Sequence, residues 1–378
     1  MIYLDNNATT PLSEKVKEAI RNYLDYFGNP SSLYTIGTDN KRELQKARKF
    51  VANLINAEES QILFTGCATE SNNSVISSCI DKHPKRPVHV VSTKVEHPAV
   101  LETLKYFQKY RDVDVTFLDV DSQGRINPSE LEAVLRDDTV LVSIMLVNNE
   151  IGNIYPIKEL CDIVHRYNPN IFFHTDATQA VGKMKVDVKD LGVDFLTLSG
   201  HKFYAPKGVG ALYIKDINFF IPYMRGGHQE NGLRAGTENF LSIVAMGVAA
   251  KEATECCNYG QIANLRDYIE ERVLRFIKPS RVLGDVDHRV CNTSCILFER
   301  YNGVDICDLI NRLSQEERVC ISSGSACNSV ELAPSHVMRA MNINRIPIRI
   351  SLNKYTTKND LDIFLRSIMK VCNILKRK

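Results

Sequence analysis

No C-x-x-C pair occurs in the 378-residue sequence, and Cys291 and Cys295 stand one residue too far apart for the usual metal knuckle. Both facts argue against a zinc site. There is also no block of like charge. The 47 Lys and Arg are spread along the chain against 45 Asp and Glu, for a net charge of +2, which points away from nucleic acid and from membrane surfaces as partners. The longest apolar run, "LSIVAMGVAA", is too short to span a bilayer. "MIYLDNNATTPL" at the start has neither a basic region nor an apolar core, so no secretory signal is read and a cytoplasmic location is expected. In that reducing compartment the eleven cysteines should be thiols, and their odd number agrees. Internal repeats, low-complexity tracts and an obvious flexible linker are missing too.

What is present is an ordinary globular composition, 44% hydrophobic and 24% charged, in a chain long enough for two domains. Apolar runs of strand length alternate with amphipathic stretches of helix length. "QILFTG" leads to a helix from about Glu70, "VHVVST" to one near Ala99, and "VLVSIMLVN" to one near Ile157; "IFFHTDA" precedes "FLTLSG" and "GALYI". That rhythm predicts an α/β unit with a mainly parallel sheet, whose ligands bind in the loops beyond the carboxyl ends of the strands. From about Tyr259 the texture changes to shorter strands, "CILFER", "VCISSG" and "IRISL", with a last amphipathic helix from Lys358. These suggest a smaller α+β domain.

Polar clusters fall where the strands should end. In "FTGCATESNN" the backbone N–H groups and the Thr69 hydroxyl could hold a phosphate, the plain alternative being a Thr N-cap with Glu70. The stretch has neither G-x-x-x-x-G-K nor G-x-G-x-x-G, so no mononucleotide or dinucleotide fingerprint is indicated. Asp176 and Gln179 follow "FFHT", where a lone Asp often only caps a turn. Lys202 ends another strand in "LSGHKFYAPKGVG". A desolvated lysine there is a Schiff-base candidate, and Lys207 reads as a turn residue. His97 in "VEHPAV" is either a cap or a ring-stacking group. A lysine, an aspartate and a phosphate-holding helix end together suit pyridoxal 5'-phosphate. Finally, "ISSGSACNSV" sets Cys327 among residues too small to bury anything, which favours a reactive thiol over a structural one.

With these pieces assembled, the sequence resembles the cysteine desulfurases of the class V aminotransferase group, most of all the nitrogen-fixation type. The motifs run nearly end to end: "YLDNNATT", "GNPSS", "FTGCATESNN", "EHPAV", "VNNEIG", "HTDATQAVG", "LSGHKFYAPKGVG", "RGGHQENGLRAGTEN", "SSGSAC" and "RISL". The resemblance implies a fold-type I transferase: a large domain with a mainly parallel seven-stranded sheet and a smaller α+β C-terminal domain. Residues 1–15 would pack with the small domain, 16–256 form the large cofactor-binding domain and 257–378 the small domain with the Cys327 loop. It also implies that Lys202 forms the imine with pyridoxal phosphate and that Asp176 partners the pyridine nitrogen. Gln179 and Asn149 would contact the phenolic oxygen, and His97 would stack on the ring. Ala68, Thr69, Ser199 and His201 would hold the phosphate, with Thr237 reaching it from the other subunit of a homodimer. Arg349 would grip the substrate carboxylate, and Cys327 would accept the sulfur. Cys67 stands where Gly is frequent, Ala205 replaces a usual Gly, and the segment between "HVMRAM" and "IRISL" is a few residues short.

The expected reaction converts L-cysteine to L-alanine and leaves a persulfide on Cys327 for an iron–sulfur scaffold or another sulfur-acceptor protein. Lys202 would take the Cα proton and His97 would carry a proton to or from the sulfur. An aminotransferase or selenocysteine lyase would share the lysine and aspartate without needing a cysteine-bearing loop. A redox sensor would need Cys327 without Lys202, and a silent sulfur scaffold should have lost the lysine.

Overall fold

The computed structural model describes residues 1–83, 87–256, 258–313, 319–324 and 333–376. The elements run β1 (Ile2–Tyr3), α1 (Glu14–Tyr23), α2 (Thr35–Leu54), β2 (Ile62–Thr65), α3 (Ala68–Asp81), β3 (Val88–Thr93), α4 (Pro98–Tyr110), β4 (Val113–Leu118), α5 (Pro128–Val134) and β5 (Thr139–Ser143). They continue through α6 (Ile157–Tyr167), β6 (Phe172–Asp176), α7 (Val188–Leu191), β7 (Phe195–Ser199), β8 (Gly210–Ile214), α8 (Phe240–Glu255) and α9 (Tyr259–Phe276). The last are β9 (Ser280–Leu283), β10 (Thr293–Phe298), α10 (Gly303–Leu313), β11 (Val319–Cys320), α11 (His336–Ala340), β12 (Ile348–Ser351) and α12 (Lys358–Leu375).

Seven strands form the central sheet in the order β2-β8-β7-β6-β5-β3-β4. All run parallel except β8, which is antiparallel to both of its neighbours. Every residue of β3, β5, β7 and β8 is buried, so the unbroken apolar runs in the sequence reflect a sheet covered on both faces. Helices α2 and α8 cross so closely that a Cβ on Gly247 would lie 2.6 Å from Ala47 Cα, which is why the crossing needs a glycine.

Where α4 begins, His97 caps it by accepting from the Ala99 N–H at 3.1 Å, and Pro98 occupies the first helical position. Helix α3 starts differently. Its N-cap is Cys67, which offers no side-chain hydrogen bond, so Thr69 lies inside the first turn and is not the cap that its residue type allows.

A second group of strands, β12-β10-β9, is antiparallel, and β1 pairs in parallel with β11. Around them Leu4, Ile269, Ile296, Phe298, Ile350 and Phe364 share an apolar cluster distinct from those flanking the large sheet. The N-terminal segment crosses between the two, because Leu4 exchanges backbone hydrogen bonds with Cys320 and Ser351 while Thr10 donates to His201 O. The carboxyl ends of the large sheet therefore face strand β12 across residues 5–10.

Candidate active site

Five strand ends converge on one cavity of about 250 Å³. After β2 come Cys67, Ala68 and Thr69; after β3, His97; after β5, Asn149 and Glu150; after β6, Thr178 and Gln179; after β7, His201 and Lys202. Asp176 and Ser199 close β6 and β7 themselves, and Arg349 of β12 and His336 of α11 complete the wall. Ten residues named from the sequence, Ala68, Thr69, His97, Asn149, Asp176, Gln179, Ser199, His201, Lys202 and Arg349, thus line a single pocket. Thr237 does not. It is exposed, in a segment tied down by Arg48 on Glu230 at 2.6 Å and by Arg234 on Glu70 at 2.9 Å. Cys327 lies outside the described residues.

One end of the cavity is built for an anion. The first N–H groups of α3 have no carbonyl one turn back to bond, and the uncapped Cys67 leaves them open. The Ser199 hydroxyl beside them is buried without a hydrogen-bond partner among the described residues. Burial and the charges of Lys202, Lys207 and Lys183 push the His201 imidazole down to about 4, so at neutral pH it is an uncharged ring bonded to Thr9 Oγ1 at 3.1 Å.

At the other end, Asp176 accepts from Asn72 Nδ2 at 2.8 Å and from the Thr178 N–H at 2.9 Å. His97 also lies in this part of the pocket. Its Nδ1 must keep a lone pair to cap α4, so the neutral ring carries its proton on Nε2, and burial holds its pKa below the ordinary value. Both readings of His97 are therefore compatible, since one ring nitrogen caps the helix and the other remains for chemistry.

Lys202 is only partly buried, and its Nζ donates to the carbonyls of Asn7 at 2.5 Å and Ala8 at 2.9 Å. Lys207 is exposed in a turn, as its position before β8 suggests. Arg349 is 2% exposed; Nη1 donates to Asn149 O at 3.0 Å, Nη2 to Asp5 Oδ1 at 2.7 Å, and Nε is buried with no partner among the described residues. A carboxylate is the acceptor that such an arginine edge suits.

Two features escaped the sequence. Asn7 is a hub: its carbonyl accepts from Gln179 and Lys202, its Oδ1 from Lys183 and Asn292, and its Nδ2 donates to Asn149 O and Thr293 Oγ1. Lys183, not Lys202, is the deeply buried lysine. The only trace of it in the sequence is the four-residue spacing from Gln179 in "QAVGK".

Against this geometry, the sequence model described as Aminotransferase class-V matches residues 2–364. The chain belongs to that family. It is 42% identical to the cysteine desulfurase NifS of Azotobacter vinelandii over 97% of this chain and 91% of that protein. With the cysteine desulfurase IscS of Dictyoglomus turgidum the identity is 41%, over 99% of this chain and 95% of the relative. A solved NifS-like protein superposes with a TM-score of 0.91 at 33% identity, covering 99% of both chains. A structure described as SspA in complex with cysteine superposes at 0.81, also at 33% identity, over 94% of this chain and all of the other.

Proposed function

We propose that the chain is a cysteine desulfurase that converts L-cysteine to L-alanine with pyridoxal 5'-phosphate and takes the sulfur onto Cys327 as a persulfide. The observation that carries this reading is the meeting of Lys202, Asp176, His97 and Arg349 in one cavity of a chain about two-fifths identical, along its length, to enzymes of that name. The residues present fit the cofactor. The uncapped start of α3 with the orphaned Ser199 hydroxyl suits a phosphate, and the doubly bonded Asp176 carboxylate suits a protonated pyridine nitrogen.

Ala68, Thr69, Ser199 and His201 would hold the phosphate, Asn149 and Gln179 would face the phenolic oxygen, and His97 would lie against the ring. When bound, the cofactor supplies an electron sink for the charge left at the substrate Cα. Arg349, anchored by Asp5 and Asn149, orients the substrate carboxylate through its remaining edge. Lys202 Nζ, close to the pocket floor, removes the Cα proton, and His97 Nε2 passes a proton to or from the sulfur. The Cys327 thiolate then takes the sulfur for an iron–sulfur scaffold or another acceptor protein.

A homodimer belongs to the same proposal. Thr237 is exposed and does not line its own cavity, and Phe27 and Leu33, in the segment between α1 and α2, are 84% and 95% exposed. Large apolar side chains left exposed in one short segment suit a surface that a second copy covers. The division at residues 15 and 256 is proposed on the apolar cluster that joins Leu4 to Ile269, Phe298 and Phe364, while Leu283, Leu297 and Met341 pack into the large domain's core and tie the two parts together. Among the described residues no helix is long and apolar enough to cross a membrane, and a cytoplasmic location is proposed.

The experiment is incubation with L-cysteine, with and without a thiol reductant, followed by assay of alanine and sulfide. Alanine should form at a steady rate only with reductant, matched by sulfide. Consumption of a 2-oxo acid in place of sulfide release would contradict the reading.

A further inference from the structure

Lys183 follows β6 at the end of a turn whose Gly182 has φ +77° and where a Cβ would lie 2.6 Å from Phe203 Cβ, so the turn needs glycine on both counts. The turn sends the lysine inward. It is 7% exposed, its Nζ donates to Asn7 Oδ1 at 3.1 Å and to Gln179 Oε1, and its own carbonyl accepts from Cys291 Sγ at 3.2 Å. Burying an amine this deeply is costly unless its hydrogens are all used to some purpose. Burial and the nearby charge of Lys202 hold its pKa well below the ordinary lysine value. It is not part of the pocket lining, and nothing in the reaction described above employs it.

Its geometry does fix something that the pocket needs. The two ends of a glutamine carboxamide have almost the same shape, and either can turn toward the cavity. Lys183 Nζ bonds two oxygens, Asn7 Oδ1 and Gln179 Oε1, and gives a hydrogen to each, which a neutral amine can do as well as an ammonium. The Gln179 atom facing Lys183 is therefore the oxygen. The amide nitrogen is turned the other way, with one N–H on Asn7 O at 2.9 Å, and Gln179 itself lines the cavity. By bonding Asn7 Oδ1 as well, Lys183 fixes the residue whose carbonyl receives both Gln179 and Lys202.

We propose that Lys183 is a positioning residue that sets the polarity of Gln179, keeping an N–H and not a carbonyl directed at the cofactor's phenolic oxygen. The proposal rests on the cofactor reading above. A donor at that oxygen stabilises its negative charge and so loosens the proton shared between it and the imine nitrogen. Without Lys183 the carboxamide is free to turn its oxygen inward, and the proton is held more tightly.

The readout is the pH midpoint at which the absorbance of the bound cofactor changes in the resting holoenzyme, measured for wild type, Lys183→Met, Gln179→Leu and the double variant. Lys183→Met should raise the midpoint by about one unit, a tenfold gain in proton affinity, and the double variant should match Gln179→Leu alone. An unchanged midpoint in Lys183→Met, or effects that simply add in the double variant, would overturn the proposal. If Lys183→Met does not fold, Lys183→Gln carries the same expectation and the same refutation, because its shorter arm cannot reach both carboxamides. A wild-type protein showing no cofactor absorbance would instead overturn the cofactor reading.

Discussion

Replacing Arg349 by Lys probes how the site recognises substrate. The guanidinium is buried, with Nη1 on Asn149 O at 3.0 Å, Nη2 on Asp5 Oδ1 at 2.7 Å and Nε unpartnered among the described residues. A lysine at the same place keeps a positive charge, and its ammonium can satisfy Asp5 and Asn149. It lacks the planar edge, so at least one hydrogen bond to the substrate carboxylate is lost. A charge-assisted hydrogen bond is worth about 1.5–3 kcal/mol. At about 1.4 kcal/mol per factor of ten, kcat/KM for L-cysteine should fall roughly ten- to hundredfold. Cysteamine, which is cysteine without the carboxylate, provides the control. Its far slower consumption should be little changed by the substitution, so the wild-type preference for L-cysteine over cysteamine should shrink by the same factor. Sulfide release with each substrate measures both. An Arg349→Lys enzyme that keeps kcat/KM for L-cysteine within twofold, or loses activity equally on the two substrates, would refute the carboxylate role.

Two further outcomes concern stability and assembly. Glu96 is wholly buried, with Oε1 accepting from the Met145 N–H at 2.7 Å and Oε2 unpartnered among the described residues, and burial pushes its carboxyl up to about 8. The folded protein therefore keeps this proton up to about pH 8, whereas the unfolded chain loses it near 4.5. The stabilisation is fully present below that lower value and is lost as pH rises to about 8, by an amount on the order of a few kcal/mol. Glu96→Gln should flatten the decline in melting temperature over that window, and a variant whose pH profile parallels wild type would contradict the assignment. The exposed pair Phe27 and Leu33 should tolerate Ser in a monomer but not in a dimer interface. The double Ser variant should sediment at half the mass of wild type and lose bound cofactor on dialysis, whereas an active wild-type monomer would contradict the dimer.

The sequence made the large sheet legible because strands buried on both faces leave unbroken apolar runs, and because the family motifs sit where those runs stop. Asp176 and Lys202 could be picked out for the same reason: a charged residue directly after such a run has few places to go except the sheet's carboxyl edge. Longer-range partnerships were not legible. Arg349 depends on Asp5, 344 positions away, and Lys183 on Asn7, 176 positions away. No local pattern encodes either, because both arise when residues 5–10 are laid across the strand ends. Burial itself was assigned to the wrong lysine. Position after a strand predicts access to the pocket, which Lys202 has, while full burial needs the tertiary cover that Lys183 receives. At Thr69, residue type suggested a cap, but the chain enters α3 two residues earlier through Cys67, and the missing cap leaves the N–H groups open to an anion.

The account depends most on where the sulfur goes. Holoenzyme given one equivalent of L-cysteine without reductant, quenched and digested, should yield one equivalent of alanine and one added sulfur on the peptide containing Cys327. Cys327→Ala should retain the cofactor and lose the added sulfur. Sulfur found instead on Cys67 in the cavity wall or on Cys320 of β11, or alanine formed by Cys327→Ala at the wild-type rate, would contradict the central claim.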